Sequence, residues 1–276
     1  MNFTDKLIGA SRNNRSLLCI GLDPDPKLMP RMDVFRFNRE IIDATSDLVC
    51  AYKPNLAFYE AMGIKGLRAL EKTVAHIPRN IPIIGDAKRG DIASSSEAYA
   101  RALFDNFGFD AVTVNPYLGY DSVAPFISYS DKGVFILCKT SNAGAADFQE
   151  SLYVEKGEIS SGLPLYELVA EKARAWNAQG NIGLVVGATY PEQLRRLREI
   201  CPELPLLIPG VGAQGGDLEA VVRYGVDAKG EKAIINSSRQ IIYASKSKDF
   251  AEAARAEAAK LRDRVNQILR QRSNSC

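Results

Sequence analysis

Ile81-Pro82-Ile83-Ile84-Gly85-Asp86-Ala87-Lys88-Arg89-Gly90-Asp91 runs from a short apolar segment into a dense cluster of charge. A near-continuous β-branched apolar run marks a strand buried on both faces, as in a parallel sheet covered by helices. Strand side chains alternate, so Asp86 and Lys88 point to the same side, and Asp91 lies beyond the strand on the turn into the next helix. Seven similar apolar runs flank this one: Leu17–Leu22 and Leu48–Tyr52 before it, then Ala111–Val114, Gly133–Cys138, Ile182–Val186, Pro205–Ile208 and Ala233–Ile235.

Helical patterns separate the runs. Ser94-Ser95-Ser96-Glu97 reads as a capped start to a helix over Ala98–Phe107. Pro191 opens a helix through Ile200 in the first-turn position that suits proline. Phe250, Ala254, Ala258, Leu261, Val265 and Ile268 recur at helical spacing in the tail. Eight strand–helix repeats in 276 residues predict an α/β fold. The expected form is a single (β/α)8 TIM barrel over residues 1–276, with extra N-terminal and C-terminal helices, since such a barrel takes ~250 residues. A doubly wound open sheet is the alternative. Ser141–Gly162, rich in Gly, Ala, Ser and charge, reads as one long irregular stretch, either a functional lid or a mobile insertion.

Composition narrows the function. Lys+Arg 35 against Asp+Glu 33 leaves a net charge of +2, which supplies no field for gripping nucleic acid. No apolar run approaches the ~20 residues of a membrane span, and the N-terminus lacks a secretory pattern. Five scattered cysteines, Cys19, Cys50, Cys138, Cys201 and Cys276, suggest reduced thiols in a cytoplasmic protein. The single histidine, His76, precedes Ile77-Pro78 and reads as a polar helix-end residue, so acid–base work falls to Lys, Asp, Glu or Tyr.

In a barrel of this kind the chemistry sits at the C-terminal ends of the strands. Each apolar run ends in or just before a polar residue: Asp23, Lys53, Asp86 with Lys88, Asn115, Lys139, Thr189, Gln214 and Arg239. Charges beside buried strands are costly unless paired or used, so a polar ligand at the mouth explains the set. Lys53, Asp86, Lys88 and Asp91 form its densest part, where each cation lowers the pKa of its neighbouring carboxylate. An internal ion-pair network stapling the barrel is the bland alternative. A second constellation, Pro209-Gly210-Val211-Gly212-Ala213-Gln214-Gly215-Gly216-Asp217 followed by Asn236-Ser237-Ser238-Arg239, has the placement and residue types of a phosphate site.

Asp86-x-Lys88-x-x-Asp91-Ile92, the Gly21-Leu22-Asp23 strand end, Lys53, the Gly210–Gly216 loop and Arg239 occur together in the order of the orotidine 5′-monophosphate decarboxylase family, which the chain resembles from about Leu17 to Tyr243 in its longer bacterial form. Asn236-Ser237-Ser238-Arg239 departs from the Gly-Arg ending of the shorter form. The resemblance implies a (β/α)8 homodimer that converts orotidine 5′-monophosphate to uridine 5′-monophosphate (UMP) and CO2 without metal or organic cofactor. It makes Lys88 the proton donor to C6 of the pyrimidine and sets Asp86 beside the departing carboxylate. It sends Asp91 into the partner's site, with Ser95 near the ribose. Lys53 and Asp23 would hold ribose hydroxyls, Ser141 the pyrimidine, and Gly212, Gln214 and Arg239 the phosphate.

The residue types suit that reaction. Loss of CO2 leaves an anion at C6, and most decarboxylases supply an electron sink through a cofactor or imine. A fixed ammonium can instead stabilise the carbanion and then protonate it. Ser141–Gly162 and Gly212–Asp217 are the segments expected to close over substrate. Other readings are a class I aldolase using Lys53, Lys88 or Lys139, a related metal-dependent sugar-phosphate decarboxylase, and a non-catalytic nucleotide-phosphate binder.

Overall fold

The computed structural model describes residues 1–153, 162–211 and 216–273. Eight strands, β1 (Leu18–Leu22), β2 (Ala51–Pro54), β3 (Ile84–Arg89), β4 (Ala111–Val114), β5 (Gly133–Lys139), β6 (Ile182–Val186), β7 (Leu206–Pro209) and β8 (Ala233–Ser237), pair in parallel. Their order is β2-β1-β8-β7-β6-β5-β4-β3, and the ring closes through parallel bridges Tyr52 to Ile83 and Asn55 to Asp86. A doubly wound sheet reverses its order at an internal switch point, and this one does not. The architecture is a (β/α)8 barrel.

Two strands, β2 and β3, begin three residues later than the apolar runs predict. The amide of Leu48 closes a turn onto Thr45, and that of Ile81 closes one onto Pro78. Leu48 to Cys50 and Ile81 to Ile83 are buried all the same. Apolar runs report burial, whereas strands need ladder partners. The ladder on β3 reaches past Gly85 to Arg89, so Asp86 and Lys88 lie inside the strand.

The helix after β3 spans Ala93–Arg101 and continues as a π turn over Ala102–Asn106, so it starts before the serines expected to cap it. Ser96 Oγ is engaged elsewhere, bonding the Asp91 and Ser122 carbonyls. The helix Pro191–Ile200 carries its proline in the first turn, as read from sequence. His76 ends the helix Gly63–His76 and lies 2.6 Å from Asp43 Oδ1, a polar helix-end residue. The closing helix Phe250–Ser273 buries Phe250, Ala254, Ala258, Val265 and Ile268, and Phe250 stacks on Phe37 at 5.2 Å.

The N-terminal helix Phe3–Asn14 closes the barrel at the end where the strands begin. Phe3 and Leu7 join the inner cluster of Cys19, Ala51, Ile84, Ala111, Phe135, Val185, Leu207 and Ile234. Phe3 meets Phe135 edge to face at 5.6 Å, and a Cβ on Gly133 would lie 2.5 Å from the Phe3 ring. With that end filled, the C-terminal face of the barrel is left for ligands.

The stretch after β5 is not uniformly irregular. It contains a 3-10 turn Ala143–Ala145, a short helix Ala146–Gln149 and a hairpin pairing Leu152–Tyr153 with Leu163–Pro164. Gln149 ties it to the barrel, accepting from the Thr140 amide at 2.9 Å and donating to Thr140 Oγ1 at 2.8 Å. Residues 154–161 lie outside the described residues. Among the described residues no helix is long and apolar enough to cross a membrane, and the four cysteines are buried free thiols.

Candidate active site

β2 and β3 bring three of the predicted residues into contact. Lys53 Nζ donates to Asp86 Oδ2 at 2.8 Å, and Lys88 Nζ donates to Asp86 Oδ1 at 2.5 Å. Thr113 Oγ1 on β4 donates to the same Oδ1 at 3.0 Å. Asp86 thus sits between two ammonium groups with both oxygens occupied. Lys53 is buried, whereas the Lys88 side chain is half exposed.

The strand is distorted at this point. Between Gly85 and Arg89 the register of β3 against β4 shifts, and Lys88 adopts φ +48°. A left-handed backbone at a non-glycine residue is uncommon and costs on the order of 1–3 kcal/mol, and such strain clusters at functional sites.

Two adjoining cavities meet at the Lys53–Asp86 pair. One, of ≈ 190 Å³, is bounded by Asp23, Asn55, Asn236, Ser237 and Arg239 among others. Asp23 Oδ1, Asn236 Oδ1 and Ser237 Oγ are buried there with no hydrogen-bond partner among the described residues. Leaving such atoms unpaired costs ~1–3 kcal/mol each, so a polar ligand has groups waiting for it. The other cavity, of ≈ 430 Å³, is bounded by Lys88, Thr113, Ser141, Asn142, Val185 and Leu207 among others. Ser141 reaches it because residue 187 is glycine: a Cβ there would lie 2.8 Å from the Ser141 Cα. Gly21 has a similar reason, since its Cβ would lie 1.7 Å from Ser238 Oγ.

Burial raises the pKa of the Asp86 carboxyl, but Lys53 and Lys88 outweigh it and hold the group well below the usual carboxylate range. Burial pulls Lys53 down, but Asp86 and Asp23 together reverse that and leave it above an ordinary lysine. On β1, burial pushes the Cys19 thiol up to about 12, so it is no thiolate nucleophile at neutral pH. Asp86, whose pKa is lower folded than unfolded, adds stability above its unfolded value near ~4 and loses it as pH falls through its folded value. Lys53, whose pKa is higher folded than unfolded, adds stability below ~10.4 and loses it as pH rises through its folded value. The difference in Tm between the wild type and a Lys53→Met, Asp86→Met double variant is therefore expected to stay constant from about pH 5 to 9 and to change in acid below ~4. A steady slope across the neutral range would refute the assignment.

Not every predicted residue joins the site. Asp91 makes no ion pair among the described residues. Its Oδ1 accepts from the Ile92 amide at 2.7 Å, so within one chain the expected four-charge cluster has three members. Ser95 is exposed on the helix that follows. Asn115 accepts from the Tyr117 amide and lines a largely apolar cleft with Trp176, which adjoins the larger mouth cavity through Leu137, Thr140 and Gln149. Lys139 is fully buried beneath the loop, its Nζ 3.0 Å from Glu150 Oε1 and 4.0 Å from the centre of the Tyr190 ring, and it lines neither mouth cavity. Thr189 lines neither as well, and its hydroxyl is buried without a partner among the described residues. The polar residues at the strand ends thus divide between ligand cavities and loop anchoring, because a strand end can face the mouth or the covering loops. Gly212 and Gln214 lie outside the described residues, and so does most of the segment expected to close at Gly212–Asp217.

The sequence reading missed Asn55, Thr113, Asn142, Gln149 and Gln240 as site residues. Asn55 had a signal, being polar and two residues past Lys53. Thr113 had none, because a β-branched residue within an apolar run reads as core.

The sequence profile of the "Orotidine 5'-phosphate decarboxylase / HUMPS family" matches residues 16–256. An orotidine 5'-phosphate decarboxylase of Dehalococcoides mccartyi is 55% identical over 267 residues, covering 96% of this chain and 98% of its own. One from Thermomicrobium roseum is 52% identical over 278 residues, covering 98% and 97%. The solved structure of Leishmania donovani OMP decarboxylase aligns with a TM-score of 0.82 at 41% identity, covering 98% of this chain and 99% of that one.

Proposed function

Because the chain belongs to the orotidine 5′-phosphate decarboxylase family, we propose a specific division of labour among its own residues. The reaction converts orotidine 5′-monophosphate to UMP and CO2, a carboxy-lyase step of pyrimidine biosynthesis. The observation that carries the assignment is the chain Lys53–Asp86–Lys88, bonded side chain to side chain at the junction of two cavities.

In this reading the pyrimidine occupies the larger cavity, against Lys88 and Ser141. The ribose hydroxyls meet Lys53 and Asp23, and the phosphate lies toward Arg239. The C6–carboxylate bond breaks, CO2 leaves, and the electron pair remains on C6. The Lys88 ammonium stabilises that charge, gives C6 a proton, and regains one from solvent. A preset cation in a site closed to water contributes more than it would in bulk solvent. Asp86 keeps Lys88 aimed at C6 and stands beside the departing carboxylate. A Schiff-base aldolase needs a neutral lysine, and Lys53 is displaced in the opposite direction.

The partner is read from the surface around Asp91. Ile92, Tyr99, Tyr117, Leu118 and Tyr120 are exposed on the neighbouring loops and helices after β3 and β4. Exposed apolar side chains grouped in this way mark association sites. We assign this face to a homodimer in which Asp91 and Ser95 serve the partner's substrate, and we place the enzyme in the cytoplasm.

The test is direct. Orotidine 5′-monophosphate added to chelator-treated protein is expected to show the ultraviolet change of conversion to UMP with release of CO2. No turnover would overturn the reading, and turnover restored only by added metal would refute the metal-free mechanism. Separately, Arg239→Ala is expected to weaken UMP binding by about 10–100-fold, the loss of a charge-assisted contact, and to leave uridine binding unchanged. Equal losses on both ligands would reassign Arg239.

A further inference from the structure

Three residues of β3 lie opposite a single residue of β4. Gly85 pairs with Val112 and Arg89 with Val114, so Asp86, Ala87 and Lys88 all face Thr113. An insertion of this kind leaves backbone groups without ladder partners. The amide of Lys88 is one of them, and Thr113 Oγ1 accepts its hydrogen at 2.9 Å. The same hydroxyl gives its one proton to Asp86 Oδ1 at 3.0 Å. One oxygen therefore ties both ends of Asp86-Ala87-Lys88, and the far end, Lys88, is the residue whose φ is +48°. Past the bulge the ladder resumes, with the Asn115 amide donating to the Arg89 carbonyl at 2.7 Å.

Thr113 suits this task. It is buried, and its branched Cβ restricts χ1, so the hydroxyl position is fixed. Asp86 Oδ1 is also the acceptor of the Lys88 ammonium. Displacing that oxygen displaces the ammonium with it.

We propose that Thr113 is a positioning residue for decarboxylation, its hydroxyl setting the Lys88 ammonium against C6 by holding the β3 bulge. The inference rests on the reading of Lys88 as proton donor and Asp86 as its guide. Thr113 itself transfers no proton to substrate.

The experiment compares Thr113→Val, Thr113→Ala and Thr113→Ser with the wild type, each checked for folding by circular dichroism. Valine keeps the shape and removes the hydroxyl, and alanine does the same without the branch should valine fail to fold. Both are expected to lose about 10²-fold in kcat, the scale of a small misplacement of a reacting group. UMP affinity is expected to stay within threefold, because the phosphate and ribose contacts lie in the adjoining cavity. Serine, which restores the hydroxyl, is expected to recover kcat to within about fivefold of wild type. A kcat within threefold of wild type in the hydroxyl-less variants would overturn the inference. So would a parallel loss of UMP affinity, or failure of serine to rescue, since either marks general packing. Wild-type turnover and an inactive Lys88→Ala control separate these outcomes from failure of the functional reading, which would show as a wild type without turnover.

Discussion

Replacing Lys88 by alanine is expected to lower kcat by ~10⁴-fold or more while UMP binding remains measurable. Two roles disappear together: electrostatic stabilisation of the C6 carbanion, on the order of 10²–10³, and proton delivery, on the order of 10²–10⁴. Binding is expected to survive because the proposed assignment gives the ribose and phosphate contacts to other residues. Asp86 also keeps two partners, Lys53 Nζ at 2.8 Å and Thr113 Oγ1 at 3.0 Å, so the site does not lose its frame. The Lys88 side chain is half exposed, so truncating it opens no core cavity. Lys88→Arg tests proton delivery by itself, because guanidinium keeps the charge but does not release a proton at ordinary pH. It is expected to remain inactive in turnover. A kcat within tenfold of wild type for Lys88→Ala would remove this lysine from the mechanism.

The features legible in the sequence were those that repeat or that cost free energy when misplaced. Eight apolar runs gave the barrel because each strand must be buried on both faces, and a run such as Gly133–Cys138 has no other inexpensive location. Asp86 and Lys88 were legible as facing neighbours because strand alternation is fixed by backbone geometry. Features that depend on where the ladder slips were not legible. Nothing in Asp86-Ala87-Lys88 announces a left-handed residue or a bulge, and Thr113 gains its role only through that slip. Lys139 shows the converse error. Its position at a strand end matched that of Lys53, yet it lies under Glu150 and Tyr190, because the covering loop supplies partners that strand position does not encode.

Mixing two inactive proteins, Asp91→Ala and Lys88→Ala, is expected to restore roughly a quarter of wild-type activity. If Asp91 acts across a two-fold interface, each hybrid dimer has one site with both groups intact and one with neither. Random reassortment makes half the dimers hybrids, and half of their sites are competent. The geometry of a single chain favours this arrangement over a local role. Asp91 is engaged with the Ile92 amide rather than with Lys53 or Lys88. Its loop is fixed by buried Ser96, whose hydroxyl bridges the Asp91 and Ser122 carbonyls, so the carboxylate is held rather than free to swing inward. Exposed Ile92, Tyr117 and Leu118 beside it supply the apolar surface that a dimer would cover. The measurement is decarboxylation after co-refolding of the two variants, with hybrids verified by differential tagging. Verified hybrids without recovered turnover would place Asp91 outside the partner's site, and the single-chain Lys53–Asp86–Lys88 chain would then have to hold the ammonium unaided.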